Sequence, residues 1–254
     1  MSFITYIPCT VLQPYVKSFA ISESAEEQTY KVLPGTGLVI GFQYKGKLSR
    51  IENEKLNPLN SAGLTGLHDS FHVFKNSADT GTVLVFFKEA GAAQFFNMPL
   101  HELFKESISL ESFMLRSELL IVEEKLCESK TNEKRIKIIE QFLMARMQLK
   151  EPDNLVLAAL SLIHKTKGTI RMQELLKQLQ ISQSPLEKRF RRVIGTSPKK
   201  FASIVRFKHT IQNYNSQNSL TALGYESGFY DQAHFIKAFK NFTGETPETF
   251  FTQQ

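Results

Sequence analysis

The chain has 254 residues, with 31 Lys+Arg against 25 Asp+Glu and a formal net charge of +6. That length suits one to two domains, and a hydrophobic fraction of 42% with 22% charged residues excludes wholesale disorder. Cys9 and Cys127 are the two cysteines, which excludes a disulfide scaffold or a Cys-rich zinc module. The start, MSFITYIPCT, lacks the basic segment and apolar run of a signal peptide. No apolar run reaches the ~18 residues a membrane span requires, so a cytoplasmic location is expected.

Residues 1–88 read mostly as strand. Leu38–Tyr44 is apolar and β-prone, Lys45-Gly46 offers a turn, and Leu48–Ile51 is expected to return antiparallel. Phe71–Lys75 alternates, and Thr82–Phe87 is a buried-strand run ended by charge. Short strands separated by Gly, Pro and Asn point to a barrel or sandwich. From about Ala90 the period becomes helical. Phe113, Leu119, Leu120 and Leu126 mark one helix, and Ile136, Ile139, Phe142, Leu143 and Met147 a second, with Ser129–Glu133 between them. Pro152 disfavours helix at Glu151, and Asp153 or Asn154 can cap the next helix.

Residues 154–251 read as all helix: Leu155–His164, Met172–Leu179, Pro185–Ile194, Pro198–Asn213, Leu220–Ser227, Gln232–Phe242 and Pro247–Phe251. This part repeats itself. LEKRFRRVIGTSPKKF, from Leu186, aligns with FIKAFKNFTGETPETF, from Phe235, with Lys188, Phe190, Gly195, Pro198 and Phe201 meeting Lys237, Phe239, Gly244, Pro247 and Phe250. The shared residues are structural punctuation: a glycine where a helix ends left-handed, then Ser197-Pro198 or Thr246-Pro247 to cap and restart. Each unit is a helix, a tight turn and a second helix, as in helix-turn-helix modules. Leu186, Phe190 and Val193 in one second helix, and Phe235, Phe239 and Phe242 in the other, form the apolar stripe and leave the opposite face polar. Ser184-Pro185-Leu186-Glu187 reads as a capping box that commits the Ser184 hydroxyl to its own helix.

Charge follows this division. Residues 154–254 carry 14 Lys+Arg against 6 Asp+Glu, a net of +8, while residues 1–153 carry 17 against 19, a net of −2. The densest stretch holds Lys188, Arg189, Arg191, Arg192, Lys199, Lys200, Arg206 and Lys208. A dense cationic segment attracts a polyanion, most commonly nucleic acid, although a merely solvated face gives the same composition.

Residues 154–251 resemble the C-terminal DNA-binding domain of the AraC family of bacterial transcription regulators. Gly224–Phe250, GYESGFYDQAHFIKAFKNFTGETPETF, looks like the family's second helix-turn-helix signature, and Arg171–Arg206 resembles the first. Residues 5–148 more weakly resemble the cupin-like β-rich domains that precede it in some members, around Tyr15, Leu33-Pro34, Gly91-Ala92-Ala93 and Leu100–Phe104. The resemblance implies an α+β chain: a β-barrel or sandwich sensor at 1–100, helices at 101–151, and at 152–254 two helix-turn-helix units joined by the long helix Pro198–Asn213. It places Ser184, Glu187 and Lys188 of the first unit, and Gln232, Ala233, His234 and Lys237 of the second, toward bases. Gln232 suits adenine, Lys188 and Lys237 guanine, and Glu187 cytosine. Arg191, Arg192, Lys199 and Lys240 are assigned to phosphates, which position without specifying. Leu176 stands where the family prefers a small residue, as Gly224 does in the second unit, and Gln180 replaces a turn glycine.

Catalytic motifs do not emerge. Gly35-Thr36-Gly37 precedes a strand where a phosphate loop would follow one. His68 and His72 share a face but lack a third clear ligand, and Lys105 occupies the place of a second histidine after His101-Glu102. No cofactor and no metal are expected. The reading is a regulator of double-stranded promoter DNA acting with RNA polymerase, with a small-molecule effector at the N-terminal domain and a homodimer among the expectations. A β-barrel enzyme or metal-binding domain fused to a DNA-binding domain is the alternative, and a non-specific nucleic-acid binder a third class.

Overall fold

The computed structural model describes residues 1–215 and 219–252. Among the described residues ten strands, β1 to β10, build two antiparallel sheets rather than a closed barrel. The larger runs β1-β2-β9-β4-β7-β10, from Ser2–Tyr6, Val16–Ser24, Thr80–Phe87, Val39–Lys45, Ala62–Thr65 and Ser107–Ser109. The smaller runs β3-β8-β5-β6, from Gln28–Val32, His72–Asn76, Leu48–Glu52 and Lys55–Pro58.

Two-residue alternation gives the large sheet two faces. One carries Phe19, Ile21, Ile40, Phe42, Leu64, Val83 and Val85, all at most 1% exposed. It is covered by helices α1 (Arg116–Glu128) and α2 (Asn132–Met144), with Phe42 meeting Phe142 edge-on at 5.5 Å. The other face carries Ser22, Gly41, Thr82, Leu84 and Phe86 and looks across a cavity toward the small sheet. The run at Thr82–Phe87 is continuously apolar because both of its faces are covered.

The strand at Leu48–Ile51 does not return against β4. It pairs with β6 and β8 in the other sheet. Gly46, at φ +67°, turns the chain tightly beside Thr80, and the Gln43 side-chain oxygen accepts the Leu48 amide at 2.7 Å, steering the chain out of the large sheet. The predicted helices at Ser112–Met147 are present with shorter bounds, and three residues, Ser129–Thr131, separate them. Leu119, Val122, Leu126, Ile136, Ile139, Phe142 and Leu143 are buried on the sheet side, whereas Leu120 lies on the open face.

Among the described residues seven helices come next in the chain: α3 (Asn154–Lys165), α4 (Met172–Leu179), α5 (Gln183–Ile194), α6 (Pro198–Gln212), α7 (Leu220–Glu226), α8 (Gln232–Thr243) and α9 (Pro247–Thr252). Asp153 caps α3, accepting the Val156 amide at 3.1 Å. Among the described residues no helix is long and apolar enough to cross a membrane. The buried side chains form two cores. The first runs without a break from the large sheet through α1 and α2 into α3, α4, α5 and the first half of α6. The second holds Ile204 and Phe207 of α6 with Leu223, Phe229, Phe235, Phe239, Phe242 and Phe251.

Phe42 is wholly buried where α2 meets the large sheet. Phe42→Ala is expected to cost ~3–5 kcal/mol through lost transfer energy and a residual cavity. Chemical denaturation of the full chain measures it.

Candidate nucleic-acid interface

Helices α4 and α5 form the first unit. The turn between them passes through Gln180, which adopts the left-handed conformation itself at φ 51°, ψ 42°. Helix α5 begins earlier than the sequence predicts. Its N-cap is Ser182, without a side-chain cap bond, so the capping box at Ser184 does not form. Pro185 is compatible with this start, because a first-turn amide has no helical acceptor to lose. The Ser184 hydroxyl is therefore not spent on capping. Glu187 instead accepts from the Gln183 amide nitrogen at 2.9 Å and lies 3.8 Å from Arg191. Leu186, Phe190 and Ile194 face the core and Val193 is half-buried, while Ser184 and Lys188 are exposed and Glu187 is half-buried.

Helices α7 and α8 form the second unit. Gly228 makes the turn at φ +77°. Asp231 caps α8, its carboxylate accepting the His234 amide at 2.7 Å. Gly224 lets α7 press onto α8: a Cβ there would stand 3.2 Å from the Phe235 ring. Phe235, Phe239 and Phe242 are buried, and Gln232, Ala233, His234 and Lys237 are exposed on the opposite side. The His234 ring meets Phe229 edge-on at 5.5 Å. In both units the helix ends on a left-handed glycine, Gly195 at φ +100° and Gly244 at φ +81°. Ser197 and Thr246 then cap the next helix, accepting the Lys200 and Thr249 amides at 3.3 Å.

The eight cations between residues 186 and 208 do not form one patch. Arg189 makes a two-pronged bond to Asp153, at 2.8 and 2.7 Å, which ties α5 to the cap of α3. Arg206 lies over the Phe229 ring, 4.3 Å from its centroid, and holds the two units together. Lys200 reaches Asp69 in the N-terminal half, and Lys208 faces the cavity. Lys188, Arg191, Arg192 and Lys199 remain exposed on the first unit, and Lys237 and Lys240 on the second.

The cavity between the sheets measures about 880 Å³ and extends to α6. Its wall is largely apolar, including Leu33, Leu84, Phe86, Phe207 and Ile211, with the amines of Lys17 and Lys208 among its polar groups. Neither lysine makes an ion pair among the described residues. Burial, and then the charge of Lys17, hold the Lys208 ammonium below its ordinary pKa. Nothing in the sequence marks these two lysines, because a strand and a distant helix bring them together. His68 and His72 are stacked, ring centroids 4.1 Å apart, and among the described residues no cluster of three metal-ligating side chains occurs.

At the cavity rim Glu89 faces His164 of α3, 3.4 Å away. Burial raises the Glu89 pKa, but bonds from His164, its own backbone and the Thr36 hydroxyl outweigh it and hold the carboxyl at about 2.

Residues 175–253 match a family model described as a helix-turn-helix domain, and residues 4–109 match one described as a domain of unknown function (DUF6597). The Msm operon regulatory protein of Streptococcus mutans is 34% identical over 93 residues, covering 35% of this chain and 33% of that protein. The match thus spans about a third of the relative's length. The fold is similar to ToxT from Vibrio cholerae, with TM-score 0.50 and 12% identity over 99% of this chain and 98% of that one. Unsaturated fatty acid bound ToxT from Vibrio cholerae strain SCE256 aligns at TM-score 0.46 and 12% identity, covering 91% and 93%.

A carboxyl held at about 2 in the folded chain, against an ordinary 4.5, stabilises fully above pH 4.5 and loses that contribution as pH falls toward 2. Denaturation of the full chain across this window is expected to show a stability decline that Glu89→Gln lessens.

Proposed function

We propose that the chain is a sequence-specific DNA-binding transcription regulator of the AraC family, a reading supported by the match of its C-terminal residues to a helix-turn-helix domain model and by its likeness to the Msm operon regulatory protein. The carrying observation is that two repeated helices, α5 and α8, present exposed polar faces at equivalent places. Both are backed by a buried apolar stripe and flanked by exposed cations. Each helix enters the major groove of one of two adjacent segments, ~34 Å apart along the duplex. Ser184, Glu187 and Lys188 read one segment, and Gln232, Ala233, His234 and Lys237 the other. Arg191, Arg192, Lys199 and Lys240 bind phosphates. In this reading residues 1–100 form the sensor, 101–151 the connecting helices and 152–254 the reader, and the protein is not an enzyme. RNA polymerase and a second copy of the chain are its further partners.

The effector occupies the cavity. Apolar walls and two unpaired amines suit a molecule with a long apolar body and one carboxylate, which would neutralise Lys17 and Lys208. Because Phe207, Lys208 and Ile211 belong to α6, the occupant touches the helix that joins the two reading units.

Lys188→Ala and Lys237→Ala are each expected to weaken binding to a selected site by ~1–3 kcal/mol and to relax preference at the base each one meets. Arg192→Gln should weaken all sequences alike and lower the salt slope by about one. Titration of selected and random duplexes at rising salt tests this, and a double lysine variant with unchanged affinity and preference would sink the assigned faces. For the cavity, calorimetry should show dodecanoate binding while its methyl ester binds at least about tenfold more weakly, a difference that Lys208→Met abolishes.

A further inference from the structure

The two reading units are not attached to the rest of the protein in the same way. The first shares one continuous hydrophobic core with the large sheet: Leu186, Phe190, Ile194 and Phe201 lie in the same cluster as Leu100, Leu103 and the large-sheet residues. It cannot move against the N-terminal half without opening that core. The second has a core of its own around the C-terminal half of α6. Apart from α6, among the described residues it meets the N-terminal half through Leu33, which packs on this core, and through polar and edge contacts.

Those contacts converge on one loop, between β7 and β8. The Asp69 carbonyl oxygen accepts from the Asn241 side-chain amide of α8 at 2.8 Å. Its carboxylate accepts from Lys105 at 2.6 Å and from Lys200, at the start of α6, at 3.2 Å. Lys200 also lies over the Phe104 ring, 4.6 Å from its centroid. Two residues on, Phe71 packs against Gly244, where any Cβ would come within 2.6 Å of the ring. Lys31 beside it pairs with Glu245. Asp69 thus bonds to both units, to the first at Lys200 and to the second at Asn241. Its side chain is 19% exposed, so water screens these bonds only partly. Burial raises the Asp69 pKa, but the two ammoniums outweigh it, and the carboxyl stays ionised well below the usual range.

The contacts are also paired along the internal repeat. Gly195, which ends α5, lies against the Leu100 carbonyl, and Gly244, which ends α8, lies against Phe71. Equivalent ends of both reading helices therefore abut the N-terminal half.

We propose that Asp69 is a positioning residue for DNA reading: by gripping Lys200 and Asn241 together it fixes the displacement of α8 relative to α5, and so the spacing of the two DNA segments the protein accepts. This rests on the DNA-reading function proposed above. A duplex repeats every ~10.5 base pairs, so one inserted pair both lengthens the gap and rotates the second segment. A rigid pair of helices tolerates that poorly. A second unit tethered by α6 alone adapts to it.

The test uses the full chain and duplexes enriched by the wild-type protein from a random pool. The two contacted segments are then moved apart or together by one and two base pairs. Wild type is expected to show a sharp optimum, losing about tenfold or more in affinity per inserted or deleted pair. Asn241→Ala, which removes the bond to α8, and Asp69→Asn, which keeps that main-chain bond but frees the loop carrying it from Lys105 and Lys200, should both flatten the profile to about threefold or less per pair. They should also keep wild-type affinity for a duplex carrying the first segment alone. Thermal melting identifies a variant that fails to fold, and the other variant then decides. An unchanged spacing profile in the folded variants overturns the proposal, as does an equal loss at every spacing. Failure of wild type to enrich any sequence overturns the DNA-reading function instead.

Discussion

Helix α6 has two apolar faces, and each is buried in a different core. Phe201, Ala202 and Val205 go into the core shared with the large sheet, while Ile204 and Phe207 go into the core of the second unit. A helix surrounded on both sides reads as apolar around most of its circumference, and this one must also carry Lys208 into a cavity wall. Much else depends on that double duty. The units are joined by a rigid rod instead of a loop, and that rod forms part of the cavity wall. Among the described residues the second unit meets the N-terminal half through α6, the Leu33 and Phe71 side chains and a few polar bonds.

The proposed DNA-reading chemistry rests on the same economy. Of the cations crowded between residues 186 and 208, Arg189, Lys200, Arg206 and Lys208 are spent on Asp153, Asp69, the Phe229 ring and the cavity. The first three hold the frame together, and among the described residues Lys208 lies unpaired in the cavity wall. Those left exposed on the first unit, Lys188, Arg191, Arg192 and Lys199, lie on or beside α5. Charge that looks like one basic segment in the chain is divided in space between structure and ligand.

The helical half was legible because its signals are local. Glycine stops, Ser-Pro and Thr-Pro restarts and an aromatic stripe lie within a few residues of the turns they control. The Met172–Leu179 bounds and the left-handed Gly195 and Gly244 could therefore be read from the chain. Where two local rules competed, the choice was not legible. Ser182 and Ser184 can both cap a helix that buries Leu186 and Phe190, and the helix starts from Ser182, which leaves Ser184 within its first turn. The sheets were legible as strands but not as partners. The turn at Lys45-Gly46 is real, yet Gln43 and Thr80 send the next strand to the other sheet. The cavity lysines and the Asp69 grip were invisible for the same reason: each joins groups that only the folded chain brings near one another.

The boundary between the two cores does not coincide with the boundary between sheets and helices. Cooperative opening units track buried contacts, not the division between sensing and reading. The weakest seam therefore runs through the reader, between its first unit and its second. On mild destabilisation α7, α8 and α9 should lose protection from hydrogen exchange as one block. The sheets and α3 to α5 would still be closed, leaving a molecule that keeps the cavity between its sheets largely walled and α5 in place.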